Sequence, residues 1–208
     1  MHDITIHVID DDATFRASLR AMLETNGFVV IEYGDGDAFL EAITPSPQGC
    51  ALIDVRMPGM DGFALQRHLH DQGIEIPVIV ITGAADIPTA VRAMKAGAVD
   101  FLEKPFHPSA LIDAIKSAHS RSTNQAGSEP EIAAFRARLA QLTEREREIL
   151  EGIVAGLPFK IIAHRLGISP RTVEVHRAHI GEKLGVSGLS NLVRFALAAS
   201  VVSGPKWR

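Results

Sequence analysis

Short apolar runs alternate with helical patterns through the first 120 residues, and this alternation constrains the fold more than any other feature. Residues 77–81 read Pro-Val-Ile-Val-Ile, which is typical of a strand buried on both faces. Similar short runs cover 4–9, 28–31, 50–53 and 99–102. Apolar residues at helical spacing predict the intervening helices, at 15–23, 38–43, 63–70, 89–96 and 110–118. Five such units predict an α/β fold with an open parallel sheet and helices on both faces.

Polar residues follow four of these strands, at the sheet edge where parallel sheets bind ligands. They are Asp10, Asp11 and Asp12 after the first strand, Asp54 after the third, Thr82 after the fourth and Lys104 after the fifth. Clustered carboxylates repel one another, so Mg²⁺, which prefers oxygen ligands, is their natural partner. An aspartate can attack phosphorus and become an aspartyl phosphate. Mg²⁺ and the lysine would neutralise the added charge, while the threonine would hydrogen-bond a phosphoryl oxygen.

Four motifs at these strand ends resemble those of a two-component receiver domain. They are Val-Ile-Asp-Asp-Asp at 8–12, Asp-Val-Arg-Met-Pro-Gly-Met-Asp-Gly at 54–62, Ile-Thr-Gly-Ala at 81–84 and Phe-Leu-Glu-Lys-Pro-Phe at 101–106. The resemblance covers residues 1–120. It implies a flavodoxin-like, five-stranded parallel sheet with strand order 2-1-3-4-5.

The same resemblance implies a role for each matched residue. Asp54 would be the phosphoacceptor, and Thr82 and Lys104 would bind the phosphoryl group. Phe101 would be a switch aromatic that moves inward when Thr82 swings toward the phosphate. The implied Mg²⁺ ligands are Asp10, Asp11, Asp54 and the backbone carbonyl of Arg56. The Lys104–Pro105 bond is usually cis in this family, which the sequence permits.

Charge divides the chain into an acidic and a basic part. Residues 1–134 carry 9 Lys+Arg against 19 Asp+Glu, a net charge of −10, whereas residues 135–208 carry 12 against 6, a net of +6. A basic module beside an acidic one indicates a polyanionic partner for the basic part. Small polar residues at 120–130 indicate a linker. We therefore predict a receiver at 1–120, a partly helical linker at 121–140 and a second domain at 141–208.

The basic part has helix-starting and helix-ending residues at the spacing of a small all-α helix-turn-helix domain. Thr143 and Glu146 form a capping-box pattern ahead of an apolar helical face. A short helix at 158–166 ends at Gly167, and Ser169-Pro170 then opens a third helix that runs to about residue 184. A fourth helix is predicted at 189–199. Two short helices around a tight turn are typical of DNA-binding modules.

The third helix presents a mixed polar face opposite its apolar side. Arg171 in the first turn suits a phosphate contact. Residues 142–199 resemble the LuxR/NarL-type DNA-binding domain through Leu-Thr-Glu-Arg-Glu-Arg-Glu-Ile-Leu at 142–150 and Ile-Ser-Pro-Arg-Thr-Val-Glu-Val-His-Arg at 168–177. The resemblance implies base contacts in the major groove and dimerisation through the last helix. The candidate DNA-binding residues are Lys160, Ser169, Arg171, Thr172, Glu174, Val175, Ala178 and His179.

Taken together, the two halves indicate a phosphorylation-activated transcription regulator rather than an enzyme. A sensor histidine kinase would phosphorylate Asp54, a face formed by 87–96 and 99–102 would pair with its copy, and the homodimer would bind double-stranded DNA. RNA polymerase is a further candidate partner. Members of this architecture that the chain resembles are activators paired with oxygen-sensing kinases, which implies an oxygen-responsive role.

Two alternatives stay open beside this interpretation. One is a phosphorylation-independent DNA-binding regulator with a vestigial receiver. The other is a phosphatase or phosphotransferase enzyme with an accessory basic domain. A haloacid-dehalogenase-type phosphatase carries a second aspartate two residues after its nucleophile, and Arg56 stands at that position.

The remaining sequence features restrict the disulfides, metal sites and cellular location that we expect. Cys50 is the single cysteine, which excludes an internal disulfide and a four-cysteine zinc site. No apolar run reaches the roughly 18 residues of a membrane span, and Met1-His2-Asp3 opens no signal peptide, so we expect a cytoplasmic protein. His176 and His179 lie three apart on a helix, but no cysteine or carboxylate constellation completes a metal site in the sequence. Surface or packing roles are therefore expected for both.

Overall fold

The computed structural model describes residues 4–44, 47–83, 87–123, 129–202 and 204–207. The strands are β1 (Thr5–Ile9), β2 (Val29–Tyr33), β3 (Cys50–Asp54), β4 (Val78–Thr82) and β5 (Asp100–Glu103). The helices of the sheet-forming part are α1 (Ala13–Thr25), α2 (Gly36–Ala42), α3 (Gly62–Asp71), α4 (Ile87–Lys95) and α5 (Pro108–Thr123). The C-terminal helices are α6 (Glu129–Arg138), α7 (Glu144–Val154), α8 (Phe159–Leu166), α9 (Pro170–Leu184) and α10 (Gly188–Ala198).

The chain divides into two compact units. The first comprises residues 1–85 and 96–125, and the second comprises 86–95 and 126–208. The helix predicted at 89–96 is therefore present as α4 but groups with the C-terminal helices. The domain boundaries at 120 and 140 stay predictions, and residues 124–128 of the predicted linker lie outside the described part of the chain.

The first unit contains a five-stranded parallel sheet in the order β2-β1-β3-β4-β5. This confirms the predicted α/β fold class and strand order. The registers pair Ile9 with Ile53 and Asp54 with Ile81, so β1, β3 and β4 end at one edge of the sheet. All five residues of β3 and all five of β4 are buried, as expected for strands covered on both faces.

Helices cover both faces of this sheet. Ile6 and Val8 point into a cluster that also contains Leu19 and Leu23 of α1 and Leu111 of α5. The alternate residues face the other way, because successive side chains of a strand point to opposite faces. His7 meets Phe39 of α2 there, and Ile53 meets the start of α3. The two-sided burial leaves the carboxyl edge as the place where polar strand-end residues gather.

The second unit is built on an apolar core shared by α7 to α10. Ile149, Ile162, Val173, Ile180 and Val193 are fully buried. Phe135 of α6 stacks on Phe195 of α10 with ring centroids 5.5 Å apart, and Arg138 donates to the Leu184 carbonyl at the end of α9. The helical segment predicted within the linker therefore contributes to the core of this unit.

Capping explains where the C-terminal helices begin. The predicted capping box is present: Thr143 accepts from the Glu146 amide, and the Glu146 carboxylate accepts from the Thr143 amide. Ser169 caps α9 by accepting from the Thr172 amide at 3.1 Å, and Pro170 occupies the first turn. Gly167 ends α8 with φ 65°, in the left-handed region that glycine tolerates. None of the described helices has the length and apolar character needed to cross a membrane.

Candidate functional site

Two carboxylates and one ammonium meet at the carboxyl edge of the sheet. Asp10 follows β1, Asp54 closes β3 and Lys104 follows β5. Lys104 Nζ lies 2.6 Å from Asp10 Oδ2 and 2.8 Å from Asp54 Oδ1. The tertiary structure thus brings together residues that stand 44 and 50 positions apart along the chain.

Each carboxylate is also fixed by a neighbouring backbone amide. The Asp12 amide donates to Asp10 Oδ1 at 2.8 Å, and the Arg56 amide donates to Asp54 Oδ2 at 2.6 Å. Each of these amides lies two residues after its aspartate, in the turn that leaves the strand. Such local bonds hold a short acidic side chain in one orientation. The pocket therefore positions both carboxylates before any ligand arrives.

Burial sets the electrostatics of this pocket. Asp10 is 3% and Asp54 6% exposed. Burial raises the pKa of Asp54 above its ordinary value, opposed by Lys104 and the Arg56 amide and assisted by the charge of Asp10. Burial alone would lower the pKa of Lys104, but the hydrogen bonds and charges of the two aspartates together raise it. Lys104 is consequently a permanent cation at neutral pH.

The remaining receiver residues that the sequence singled out differ in exposure, and all but Phe101, which lies nearer the start of β5, are at or next to this edge. Thr82 ends β4 and is 1% exposed, and its carbonyl accepts from the Lys104 amide at 2.8 Å. Asp11 and Arg56 are exposed, and Phe101 of β5 is buried. The Lys104–Pro105 peptide bond is cis, as the family resemblance implied.

Phe15, which the sequence marked only as part of the helix predicted at 15–23, contacts the site. Lys104 Nζ lies 3.9 Å from the centroid of the Phe15 ring, and that ring packs edge-on against Phe106. A cation over a ring face is attracted by the ring quadrupole. Phe15 therefore helps to hold the ammonium over the carboxylates. The helical spacing of apolar residues in α1 did not predict this contact with Lys104.

The candidate DNA-binding face lies on α8 and α9 of the second unit. Val173, Ile180 and Leu184 are buried, which confirms the predicted apolar side of α9. The exposed candidates are Lys160, Ser169, Arg171, Glu174, Val175, Ala178 and His179. Thr172 is half-buried, and its hydroxyl lies 2.8 Å from Ser169 Oγ, so it also supports the helix cap.

Two large apolar side chains on these helices are unusually exposed. Val175 is 47% accessible, and Ile161 of α8 is 43% accessible. Val175 stands between Glu174 and His176 along the helix. An exposed methyl-bearing residue on such a helix suits contact with a thymine methyl group in the major groove.

Comparisons with known proteins match both halves of the chain. Residues 6–116 match the response regulator receiver domain. Residues 140–196 match the luxR family of bacterial regulatory proteins. The two matches correspond to the acidic sheet unit and to the basic helical segment.

Relatives cover almost the whole chain. It is 47% identical over 198 residues to the transcriptional regulatory protein FixJ of Azorhizobium caulinodans, covering 95% of this chain and 94% of that protein. FixJ of Rhizobium meliloti is 48% identical over 198 residues, covering 95% and 97%. The crystal structure of full-length FixJ from B. japonicum matches with a TM-score of 0.57 and 44% identity, covering 97% of this chain and 100% of that one.

These matches agree with the geometry in both halves of the molecule. The acidic pocket lies within the receiver match, and the capped helix-turn-helix lies within the luxR-family match. The relatives are transcriptional regulators rather than enzymes, as the sequence predicted. The chain therefore belongs to the two-component response regulators that join a receiver domain to a LuxR-type DNA-binding domain, and it is similar to FixJ.

Proposed function

We propose that this regulator is switched by transfer of a phosphoryl group to Asp54. The observation that carries the proposal is the Lys104 ammonium held within 2.8 Å of both buried carboxylates. A phosphoryl group on Asp54 would bring negative charge into a buried acidic pocket, and Lys104 stands ready to neutralise part of it. The donor is a sensor histidine kinase, the partner class that a receiver domain implies.

Asp54 is the proposed nucleophile because it closes the central strand β3, between the ends of β1 and β4. Its Oδ2 is occupied by the Arg56 amide, and its Oδ1 contacts only Lys104 among the described ion pairs and hydrogen bonds. Oδ1 is therefore the oxygen proposed to attack phosphorus, with the new O–P bond forming as the donor's bond to phosphorus breaks.

The donor set of the pocket fits a magnesium ion. Its ligands would be all oxygen, which Mg²⁺ prefers, and the two buried aspartates already accept one cationic group. The proposed ligands are Asp10, Asp11, Asp54 and the Arg56 backbone carbonyl. Bound Mg²⁺ would supply charge neutralisation for the phosphoryl oxygens.

Thr82 and Phe101 are the residues proposed to change conformation in response to the charge of the phosphoryl group. Thr82 lies at the same sheet edge on the strand beside Asp54, so a short swing of its hydroxyl would reach a phosphoryl oxygen. Phe101 is buried on the adjacent strand and would repack into the space that the threonine leaves. The phosphorylated chain would then pair as a homodimer and set two copies of α9 on half-sites about one DNA turn apart.

Arg171 and Lys160 are proposed to contact phosphates, while Glu174, Val175 and Ala178 face the bases. His179, Ser169 and Thr172 complete the proposed interface. The likeness to transcriptional regulatory proteins named FixJ supports a role in transcription. Activation with RNA polymerase as a partner, an oxygen-responsive signal and a cytoplasmic setting are further parts of the proposal, taken from the family resemblance.

Intact-mass measurement after incubation with Mg²⁺ and acetyl phosphate tests the phosphoacceptor. We expect one phosphoryl adduct per chain, lost in Asp54→Asn. Asp12→Asn is the matched control, because Asp12 caps α1 through the Thr14 and Phe15 amides and asparagine caps equally well. An adduct that survives Asp54→Asn would refute the assignment. No adduct on the wild-type chain would favour the vestigial receiver, and repeated turnover of acetyl phosphate would favour a phosphatase.

A second measurement separates phosphorylation from its readout. Lys104→Ala should leave a chain that accepts the phosphoryl group but does not gain DNA affinity on phosphorylation. Titration of a fluorescent duplex with wild-type and variant proteins, before and after acetyl phosphate, gives the comparison. A full gain of affinity in the Lys104 variant would contradict the role proposed for this ammonium.

A further inference from the structure

Three side chains of metal-ligating type converge in the second unit. They are Glu146 of α7 and His176 and His179 of α9. Each offers one ligand atom, and these atoms all lie within 4.8 Å of one another. The sequence alone predicted no carboxylate beside the two histidines, and that prediction is wrong because the fold brings in Glu146 from 30 residues before His176.

The carboxylate of this group is buried and held in place. Glu146 is 4% exposed, and its Oε2 accepts from the Thr143 amide, from Thr143 Oγ1 and from Lys183 Nζ. Among the described residues, every hydrogen bond to this carboxylate ends on Oε2, so Oε1 is available for a further ligand. A carboxylate fixed by a helix cap loses little conformational freedom when it binds a cation.

The two imidazoles share one face of α9 because residues three apart on a helix are neighbours on its surface. His179 is exposed, so a cation has an open approach from solvent. His176 is half-buried, and its Nδ1 is fully buried with no hydrogen-bond partner in the described structure. A buried ring nitrogen without a partner is rare in folded proteins, and it points to a group that His176 is placed to bind.

We propose that Glu146, His176 and His179 bind a divalent transition-metal ion, with Zn²⁺ as the preferred occupant. Two imidazoles and one carboxylate form a recognised zinc ligand set, with water in the fourth position. Tetrahedral Zn²⁺ with ligands at about 2.1 Å requires ligand atoms about 3.4 Å apart. The ligand atoms already lie within 4.8 Å of one another. Rotation of the two histidine side chains by about an ångström, with Glu146 kept in place, closes most of the difference, since His179 is exposed and His176 only half-buried.

The ammonium of Lys183 opposes the binding of a cation at this site. Its Nζ lies 2.7 Å from Glu146 Oε2, so a bound dication would face a nearby ammonium. The Lys183 side chain is 36% exposed and can turn outward into solvent. A metal ion on Oε1 and the ammonium on Oε2 would repel each other, so removal of the lysine charge should strengthen metal binding.

Zinc titration of the untagged full-length protein tests this site. All samples contain saturating Mg²⁺, so that the acidic pocket of the receiver is occupied. Calorimetry should show one Zn²⁺ per chain, and X-ray absorption should show two imidazole nitrogens and oxygen at about 2.0–2.2 Å. His179→Asn should weaken binding at least tenfold, whereas Lys183→Gln should tighten it.

His164→Asn provides the matched control, because His164 is exposed on α8 and lies outside the cluster. This variant should bind Zn²⁺ as the wild type does. Far-ultraviolet circular dichroism verifies that each variant is folded, and both His179 and Lys183 are accessible enough to be changed without opening the core. Equal affinities for wild type and His179→Asn, or equal losses for His179→Asn and His164→Asn, would overturn the proposal. A wild-type chain that binds no Zn²⁺ in several-fold excess would overturn it as well.

Discussion

Gly62→Ala should disturb the phosphoacceptor without touching a functional side chain. Gly62 is the first residue of α3, and its amide donates to the Val55 carbonyl at 3.1 Å. A Cβ added there would lie 2.2 Å from the Asp54 carbonyl oxygen and 3.0 Å from Ile53 Cγ2. The nearest atom belongs to the backbone, so it cannot turn aside. The start of α3 and the end of β3 must move apart by roughly an ångström to reach ordinary contact.

The size of the effect follows from this crowding. Overpacking of a tight site lowers the free energy of unfolding by about 1–3 kcal/mol. Asp54 must also shift relative to Lys104, which now lies 2.8 Å from its Oδ1. A misplacement of about 1 Å at a reacting centre can reduce a rate by about 100-fold. We therefore expect Gly62→Ala to slow adduct formation from acetyl phosphate at least tenfold while the chain stays folded.

Gly34→Ala is the control for the general effect of glycine replacement. A Cβ at Gly34 meets nothing within 4 Å, and the residue is outside the left-handed region. Replacement there should be neutral or stabilising by up to about 1 kcal/mol, because the unfolded chain loses freedom. Urea unfolding followed by circular dichroism, together with intact-mass time courses, compares the two variants. If Gly62→Ala matches Gly34→Ala in both stability and adduct rate, the close approach does not position Asp54.

Three further predictions concern the second unit. Burial would raise the pKa of Glu146, but Lys183 and the capping bonds together lower it below its ordinary value of 4.5. The stabilisation from this carboxylate is therefore complete above that pH and is lost as the pH falls through the folded-state pKa. Urea unfolding followed by tryptophan fluorescence should show that Glu146→Gln has a lower free energy of unfolding, by a difference that narrows below about pH 4.5, and a pH-independent difference would contradict the linkage. Ser169→Ala should lower the free energy of unfolding, measured in the same way, by about 1 kcal/mol because it removes the α9 cap. Ser187→Ala should have little effect because Ser187 makes no side-chain capping bond to α10, and equal losses in the two variants would refute the contribution of the Ser169 cap. Arg171→Ala should weaken binding to specific and random duplexes alike and reduce the slope of log binding constant against log salt concentration by about one unit. Arg20→Ala, on the exposed surface of α1, should leave that slope unchanged. An unchanged slope for Arg171→Ala would exclude a phosphate contact.

Local patterns determined much of this protein. The all-apolar run at 77–81 and the period-3.6 segments between such runs were sufficient for the parallel sheet, because each strand or helix is set by neighbours a few residues away. The capping box at Thr143 and the Ser169 cap were also readable, since both bonds join residues three apart. Asp10, Asp54 and Lys104 could be grouped because the carboxyl ends of parallel strands share one edge.

Contacts between distant segments were decided only by the tertiary structure. The Phe15 ring beneath Lys104 and the Glu146 carboxylate beside His176 join side chains from different elements. Their helical periodicity specifies which face each residue occupies, but not which partner meets that face. The close approach of Gly62 to the Asp54 carbonyl is of the same kind. Such pairings depend on how whole helices pack against strands and against one another, a property of the assembled core that no short stretch of sequence encodes.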